Sequence, residues 1–198
     1  MYVQKQFAEQ DRDKIIALVN EYSFSTLITC HEGEPFVSHL PLLVDEREAL
    51  YLSGHMARAN EQWQHFQENS EVLAVFQGPH TYISPSHYET PGVPTWNYAA
   101  VHMYGRCRLL EEPNDVKYLI SELTNKYEKS QPQPWRADYP DRLLSMIVGF
   151  EIEVVRIEAK FKLSQNRPQS DRRNIINNLA ESQSEGELGI VKLMRGNE

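Results

Sequence analysis

The feature that most constrains the fold is a succession of seven strand-length segments, rich in β-branched and aromatic residues, joined mostly by short polar turns. These segments are residues 24–30, 36–44, 49–53, 72–76, 82–83, 96–110 and 148–157. A doubly wound parallel sheet needs strands that alternate with helices, and this order does not alternate. The sequence therefore predicts a mainly β protein with helices (α+β), a Greek-key-like or meander barrel with helices packed at its ends.

Helices are predicted at residues 11–22, 60–66, 113–127, 142–146 and 168–179. The strongest signal is in 113–127, where Val116, Leu119 and Leu123 fall on one apolar stripe. Asp11 or Asp13 is expected to cap the first helix and Asn60 the second. The length of 198 residues suits one domain, residues 1–198, with a helical C-terminal extension from about residue 168.

The charge balance limits the partners this chain is expected to have. It carries 28 acidic and 20 basic residues, for a net charge of -8. Proteins that bind DNA mainly through its phosphates are usually basic, so direct DNA binding is disfavoured, though possible through one basic segment, residues 160–173. No apolar run approaches the ~20 residues of a membrane span, and the N-terminus lacks an apolar signal core. The expected location is the cytoplasm.

Common catalytic and metal-binding motifs do not occur in the sequence. It contains no HExxH pair, no phosphate-binding loop, no GxGxxG and no Gly-x-Ser-x-Gly, and its seven histidines are dispersed. Ser38 and His39 are neighbours on a predicted strand, so they point to opposite faces and do not form a nucleophile–base pair. We expect no metal, and the sequence assigns no catalytic residue.

Four short stretches place polar and aromatic residues where a simple core would not. They are 38–41, which contains a proline inside a strand, 55–60 at a strand-to-helix junction, 95–98 after a proline-rich loop, and 160–167 after the last strand. An arginine fork beside free amides at a helix start can bind an anion. Together the four stretches favour a ligand that is planar at one end and anionic at the other.

These stretches also carry a resemblance to a known family. The segments FVSHLPLLVD (36–45), GHMARAN (54–60), VFQGPHTYISP (75–85), VPTWNYAAVH (93–102) and KFKLSQNR (160–167) resemble those of the PaiB family, described as FMN-binding negative transcriptional regulators. The similarity runs from about residue 2 to the helix after residue 167 and so covers nearly the whole chain. One departure is a shortened loop at residues 88–93.

The resemblance implies an FMN-binding split β-barrel, a bacterial homodimer with FMN near the subunit interface. The segment after the third strand would hold the phosphate, although Ala59 and Asn60 stand where many split-barrel oxidases use a lysine just after the arginine. The residues expected to contact FMN are Ser38, His39, Leu40, His55, Arg58, Asn60, Trp96, Asn97, Tyr98, Lys162, Gln165 and Asn166. Lys160 and Lys162 are expected to face an anion.

Three classes of function remain open at this point. The resemblance implies a repressor linked to sporulation and degradative-enzyme genes in spore-forming bacteria. The fold would also suit a flavin-dependent oxidoreductase acting on a small molecule, similar to pyridoxamine-phosphate oxidases. A binder of haem or another small ligand is the third. A dimer is expected because Tyr82, Trp96, Tyr98 and Phe161 would otherwise leave a large apolar patch exposed.

Overall fold

The computed structural model describes residues 1–68, 71–136 and 138–196. In these residues the chain forms five α-helices and seven strands. The helices are α1 (Arg12–Glu21), α2 (Pro113–Glu128), α3 (Asp141–Leu144), α4 (Gln169–Ala180) and α5 (Glu185–Arg195). The strands are β1 (Phe24–His31), β2 (Glu34–Pro41), β3 (Leu43–Glu46), β4 (Leu50–Ala57), β5 (Glu71–Ile83), β6 (Thr95–Leu109) and β7 (Ile147–Lys162). Short 3₁₀ segments occupy Lys5–Phe7, Glu61–Glu68 and Pro85–His87.

The strands form one sheet in the order β2-β1-β5-β6-β7-β4-β3. The pairs β1–β2, β1–β5, β3–β4 and β4–β7 are antiparallel. The two edge strands, β2 and β3, follow one another in the chain with only Leu42 between them. They are not neighbours in the strand order, so the sheet is open between these edges and does not close into a full barrel. The predicted class, a mainly β fold with helices, is confirmed.

Residue contacts divide the described chain into two compact units. Unit 1 comprises residues 1–22, 76–102 and 158–196, and its core includes Leu18, Val19, Ile175 and Ile190. In this unit Asp11 caps α1, since its carboxylate accepts hydrogen bonds from the amides of residues 13 and 14, as predicted.

Unit 2 comprises residues 23–68, 71–75, 103–136 and 138–157. Its core contains Leu27, Leu52 and Phe150, with the predicted stripe of α2 buried. Gly33 has a φ of +86° in the turn between β1 and β2, a conformation that glycine adopts without steric strain.

Several strand boundaries differ from those predicted. The predicted segments 72–76 and 82–83 form a single strand, β5, because Gly78 and Pro79 are accommodated within it. A Cβ at Gly78 would lie 2.9 Å from Leu18 Cδ1, so close packing requires the glycine there. The predicted strand 36–44 is split into β2 and β3, and β2 ends at Pro41. Strand β7 continues to Lys162, five residues beyond its predicted end.

None of the helices in the described part of the chain has both the length and the apolar character needed to cross a bilayer.

Candidate functional site

Two of the expected site residues of unit 2, Ser38 and Asn60, are in direct contact. Asn60 lies in the turn between β4 and the 3₁₀ segment, where its side-chain oxygen accepts a hydrogen bond from the Gln62 amide at 3.0 Å. This bond is the predicted cap. The Asn60 amide nitrogen donates to Ser38 Oγ at 2.8 Å. Because Ser38 Oγ accepts this bond, its own O–H remains available to donate to a ligand.

Arg58 lies two residues earlier in the same turn and is exposed. Its Nε donates to the Ser145 carbonyl at 2.8 Å and its Nη2 to the Ile147 carbonyl at 3.0 Å. These bonds fix the plane of the guanidinium. Among the described residues Nη1 donates no hydrogen bond, so this nitrogen can still bind an anion.

The sequence predicts free backbone amides at this turn, but two of these amides already donate hydrogen bonds. The amide of Arg58 donates to the Met146 carbonyl at 2.8 Å, and the amide of Asn60 donates to the Ala57 carbonyl at 2.9 Å. The reason is that β4 extends to Ala57 and pairs with β7, so the turn is tied to the sheet. The side chains therefore provide most of the anion-binding capacity of this segment.

His55 contributes a polar atom without a partner. It lies on β4 opposite Gly149 of β7. Its Nδ1 is buried and has no hydrogen-bond partner in the described residues. Burial lowers the pKa of His55, because desolvation penalises the charged ring. At neutral pH the imidazole is therefore uncharged, and Nδ1 can donate to or accept from a ligand.

His39 and Leu40 are directed elsewhere. His39 Nδ1 is 3.1 Å from Thr26 Oγ1 on β1, and its ring stacks at 6.5 Å on Phe24. Leu40 belongs to the core of unit 2, with only 6% of its surface exposed. Its carbonyl accepts a hydrogen bond from Ser25 Oγ at 2.9 Å. The structure thus brings Ser38 to Asn60 but does not bring His39 or Leu40 to them.

Gln62 is a positioning residue that sequence reasoning missed. Its side chain is fully buried, and Nε2 lies within 3.2 Å of the Leu27 carbonyl, the Phe36 carbonyl and Thr29 Oγ1. These contacts join the 3₁₀ segment to the β1–β2 hairpin, which carries Ser38. The sequence did contain a signal for a buried Gln62. This glutamine lies four residues before the apolar Phe66, so both fall on the face that a helical segment buries.

In unit 1 the expected residues Trp96 and Lys162 are in contact. Lys162 Nζ donates to Thr95 Oγ1 at 2.5 Å and to the Trp96 carbonyl at 2.6 Å. Burial lowers the pKa of Lys162, and the neighbouring charge of Lys160 lowers it further. The indole of Trp96 is 53% exposed and lies 6.2 Å from the Tyr82 ring. This aromatic surface is suited to stacking on a planar ring.

The remaining expected residues of unit 1 differ in their surroundings. Asn97 is fully buried and donates to Ser164 Oγ at 3.0 Å, in the turn where Ser164 has a φ of +61°. Gln165 accepts from the Leu163 amide at 2.7 Å and donates to the Phe161 carbonyl. Both side chains therefore stabilise the turn after β7. Asn166 is exposed.

Tyr98 lies beside Lys160. The prediction that Lys160 faces an anion is wrong. Lys160 Nζ is 5.4 Å from the centre of the Tyr98 ring and donates to the Tyr2 carbonyl at 3.2 Å. Only 6% of Lys160 is exposed, because the N-terminal segment covers it. Lys160 is a buried structural cation and does not face an anion.

Comparisons with known proteins show the family and the fold of this chain. Residues 1–156 match a family model described as "Putative FMN-binding domain". The chain is 41% identical over 200 residues to the protease synthase and sporulation protein PAI 2 of Bacillus subtilis, covering 98% of this chain and 96% of that protein. It is 29% identical to the uncharacterized protein AN0679 of Emericella nidulans, covering 98% and 96% of the two chains.

Two solved structures share the fold at low sequence identity. The flavocytochrome Anf3 of Azotobacter vinelandii superposes with a TM-score of 0.63 at 14% identity, covering 81% of this chain and 72% of that one. The FAD and heme binding protein of Mycobacterium smegmatis gives 0.62 at 11% identity, covering 78% and 73%. The open antiparallel sheet with its helices is therefore the split-barrel fold of flavin-binding proteins. More particularly, the chain belongs to the PaiB family of FMN-binding proteins.

The residues of the structure fit FMN as a cofactor. FMN has a dianionic phosphate and a planar ring with a hydrogen-bonding edge. Unit 2 offers the Ser38 hydroxyl, Arg58 Nη1 and the unpartnered His55 Nδ1. These groups of unit 2 are a cation and two neutral hydrogen-bonding groups, which suit the phosphate of a flavin nucleotide. In unit 1, taken by itself, the exposed indole of Trp96 suits stacking on a planar ring.

Proposed function

We propose that this chain is an FMN-binding negative regulator of transcription that holds the flavin phosphate with unit 2. The observation that carries the proposal is the hydrogen bond of 2.8 Å between Asn60 and Ser38 Oγ, in the turn that also carries Arg58, whose Nη1 has no hydrogen bond among the described residues. Asn60 orients the serine hydroxyl, and the two carbonyls bound to Arg58 orient the guanidinium. Preoriented donors of this kind lose little conformational entropy when an anion binds.

His55 adds a neutral hydrogen-bonding group to the proposed site in unit 2, and the residues of unit 1 are separate candidates for contact with FMN. A neutral His55 can share a hydrogen bond with a ring or ribityl oxygen without adding charge. Trp96 supplies a surface for stacking on the ring, and Lys162 retains one N–H beyond its two described bonds. Tyr98 and Asn166 remain candidates, whereas the side chains of Asn97 and Gln165 are already used inside unit 1. Bound FMN supplies a redox-active ring that can report the state of the cell.

The regulatory effect is proposed to be exerted without direct DNA binding by the basic segment 160–173. Three of its five basic residues are occupied within unit 1. Lys160 is buried, Lys162 binds Thr95 and Trp96, and Arg167 pairs with Asp171 at 2.9 Å. With a net charge of -8, the protein has little left to neutralise DNA phosphates. We place the protein in the bacterial cytoplasm as a homodimer, acting through another macromolecule.

Two measurements on the purified protein test this function. Isothermal titration with FMN should show saturable binding with one FMN per chain. A gel shift with a labelled fragment from upstream of its own gene, at about 150 mM salt, should show no complex with or without FMN. Lack of FMN binding would contradict the flavin site. A gel shift that is salt-dependent and lost in Arg173→Ala would show that the exposed end of the basic segment contacts DNA.

A further inference from the structure

A cavity of about 560 Å³ within unit 2 is not explained by the flavin proposal. It is lined by α2, the end of α3, the first residues of β7 and the turn that carries Arg58. Pockets that bind small molecules typically have volumes of roughly 300–1,000 Å³ and mostly apolar walls with a few polar groups. The size of this cavity is therefore suited to a small organic ligand.

The deep part of the cavity is apolar. Val116 of α2 and Val148 and Gly149 of β7 are buried there, and Leu110 and Leu144 form further walls. The Leu110 amide donates to the Gly149 carbonyl at 2.9 Å, which ties the wall before α2 to the strand. A Cβ at Gly149 would lie 3.2 Å from Val116 Cγ2 and 3.4 Å from Leu110 Cδ1. The glycine thus allows α2 and its preceding segment to pack closely around the cavity.

The outer part of the cavity carries a fixed cation beside an aromatic ring. The Trp63 indole N–H donates to the Arg58 carbonyl at 3.0 Å, which orients the ring. The Arg58 guanidinium is anchored by the carbonyls of Ser145 and Ile147, with Nη1 unused among the described residues. Glu111 also lines the cavity, but it is exposed and has no described hydrogen bond or ion pair, so it can turn into solvent.

We infer that this cavity binds a small amphiphilic monoanion, a carboxylate or sulfonate with an apolar body. The apolar body would occupy the space between Val116, Val148 and Leu144, and Trp63 would pack against it. The anionic end would accept a hydrogen bond from Arg58 Nη1. An anionic head group is favoured over an amine because, among the described residues that line the cavity, Arg58 is a cation held in position by two hydrogen bonds, whereas Glu111 is exposed.

The inference shares Arg58 with the proposed flavin site but stands on the cavity and its walls. The apolar walls do not take part in the flavin proposal. The test is made on protein without added FMN, so failure of FMN to bind would leave it unaffected. If FMN itself fills the cavity, Leu144→Trp will weaken FMN binding as it weakens probe binding, and this outcome would overturn the inference of a second ligand.

The experiment is an isothermal calorimetric titration of the purified protein, without added FMN, with 1-anilinonaphthalene-8-sulfonate. The wild type should bind one probe molecule per chain. Leu144→Trp fills the cavity and should weaken binding at least about tenfold. The matched control is Leu143→Trp, since Leu143 is exposed on the same short helix and does not line the cavity. The control should bind within about twofold of the wild type.

Competition with short ligands tests the head group. Octanoate should displace the probe, and octylamine of the same chain length should not. If Leu144→Trp fails to fold by circular dichroism, Ser145→Trp replaces it, because Ser145 is exposed and also lines the cavity. Equal binding by the cavity variant and its control would overturn the site, as would absence of binding to the wild type. Equal displacement by octylamine would overturn the anionic head group.

Discussion

Arg58 and Arg106 are both exposed arginines of unit 2, but their surroundings differ. Arg58 donates two hydrogen bonds to the main chain of residues 145 and 147, which holds its guanidinium in one plane. Arg106 lies on β6 and has no described hydrogen bond or ion pair. A fixed guanidinium binds an anion more tightly than a mobile one, because less side-chain entropy is lost on binding.

We therefore predict that Arg58→Ala weakens FMN binding about 10- to 100-fold, whereas Arg106→Ala leaves it unchanged. A charge-assisted hydrogen bond is worth about 1.5–3 kcal/mol, which corresponds to one to two decades in affinity. Quenching of FMN fluorescence on titration measures both variants, and circular dichroism checks that each is folded. Equal affinities would remove Arg58 from the phosphate site.

Single residues also show which contacts the sequence could not predict. The sequence identified Asn60 as a cap because the residue type and its place before the 3₁₀ segment are local signals. It placed Lys160 facing an anion, whereas Lys160 is buried against Tyr2, 158 positions away in the chain. Phe161, expected in the exposed aromatic patch, is 3% exposed, and the alternation of residues 160–165 along an extended chain does predict that it packs inward. The burial of Lys160 depends on which distant segment covers the strand, and no local pattern encodes that.

At the scale of elements, the first turn of α4 holds the connection between β5 and β6. Asp171 is inaccessible to solvent and accepts hydrogen bonds from the amides of Glu89 and Thr90 at 2.8 and 3.3 Å. It also accepts from Thr90 Oγ1 at 2.6 Å and pairs with Arg167. The hydrogen bond from Thr90 is the main reason that the pKa of Asp171 is lowered, and it outweighs the opposite effect of burial. The carboxylate thus determines the path of this loop.

We predict that Asp171→Asn lowers the midpoint of thermal unfolding by at least about 4 °C at pH 7. An asparagine cannot accept the same set of hydrogen bonds and carries no charge to pair with Arg167. The matched control is Asp13→Asn, an exposed acid in the first turn of α1, which has the same favourable interaction with its helix dipole. Calorimetry of both variants measures the difference, and equal midpoints would contradict the prediction.

The same substitution should change the pH dependence of stability. Because the pKa of Asp171 is lower in the folded than in the unfolded state, its contribution is complete above the unfolded value of about 3.9. It is lost as the pH falls through the folded value. The difference between wild type and Asp171→Asn should therefore be largest at neutral pH and shrink progressively below about pH 4. Urea unfolding at a series of pH values measures it, and a constant difference would contradict the assignment.

Elements with local signals were predicted better than those defined by pairing. The helices α1, α2 and α4 were placed within two residues, because caps and a 3.6-residue apolar period define them. Strands β5 and β7 were predicted too short. Gly78 and Pro79 resemble a break, yet both lie within β5, where Leu18 and the Ala99 carbonyl approach the glycine closely. Tertiary contacts of this kind override local preference.

At the scale of the whole molecule, the family and the fold class could be predicted from long stretches of similar sequence. The division of the chain into two units could not be predicted in this way. Each of β5, β6 and β7 contributes one part to unit 1 and another to unit 2. A long strand carries no sequence signal at the position where its contacts change from one unit to the other. The residues expected to contact FMN are likewise distributed over both units. A single domain over residues 1–198 stays a prediction from the sequence.

Unit 1 exposes an aromatic cluster that we propose as part of a homodimer interface. Trp96 is 53% exposed and Tyr82 46%, and Trp96 lies 6.3 Å from the His80 ring. Val93, which is 74% exposed, comes shortly before Trp96 in the chain. Covering the exposed part of one indole stabilises an interface by on the order of 3 kcal/mol. In a two-fold symmetric dimer both copies of the indole are covered, so this contribution occurs twice. A partner of the same sequence would therefore gain substantially from this surface.

We predict that the wild type scatters light as a particle of about twice 23.0 kDa, whereas Trp96→Glu scatters as a single chain. The matched control is Trp135→Glu, because Trp135 is 51% exposed and lies outside the aromatic cluster. The control should remain dimeric. If FMN lies near the interface, Trp96→Glu should also weaken FMN binding at low protein concentration. A higher protein concentration should not restore the full FMN affinity, because the stacking ring is absent. A wild type of 23.0 kDa at micromolar concentration, or a monomeric Trp135→Glu, would contradict this interface.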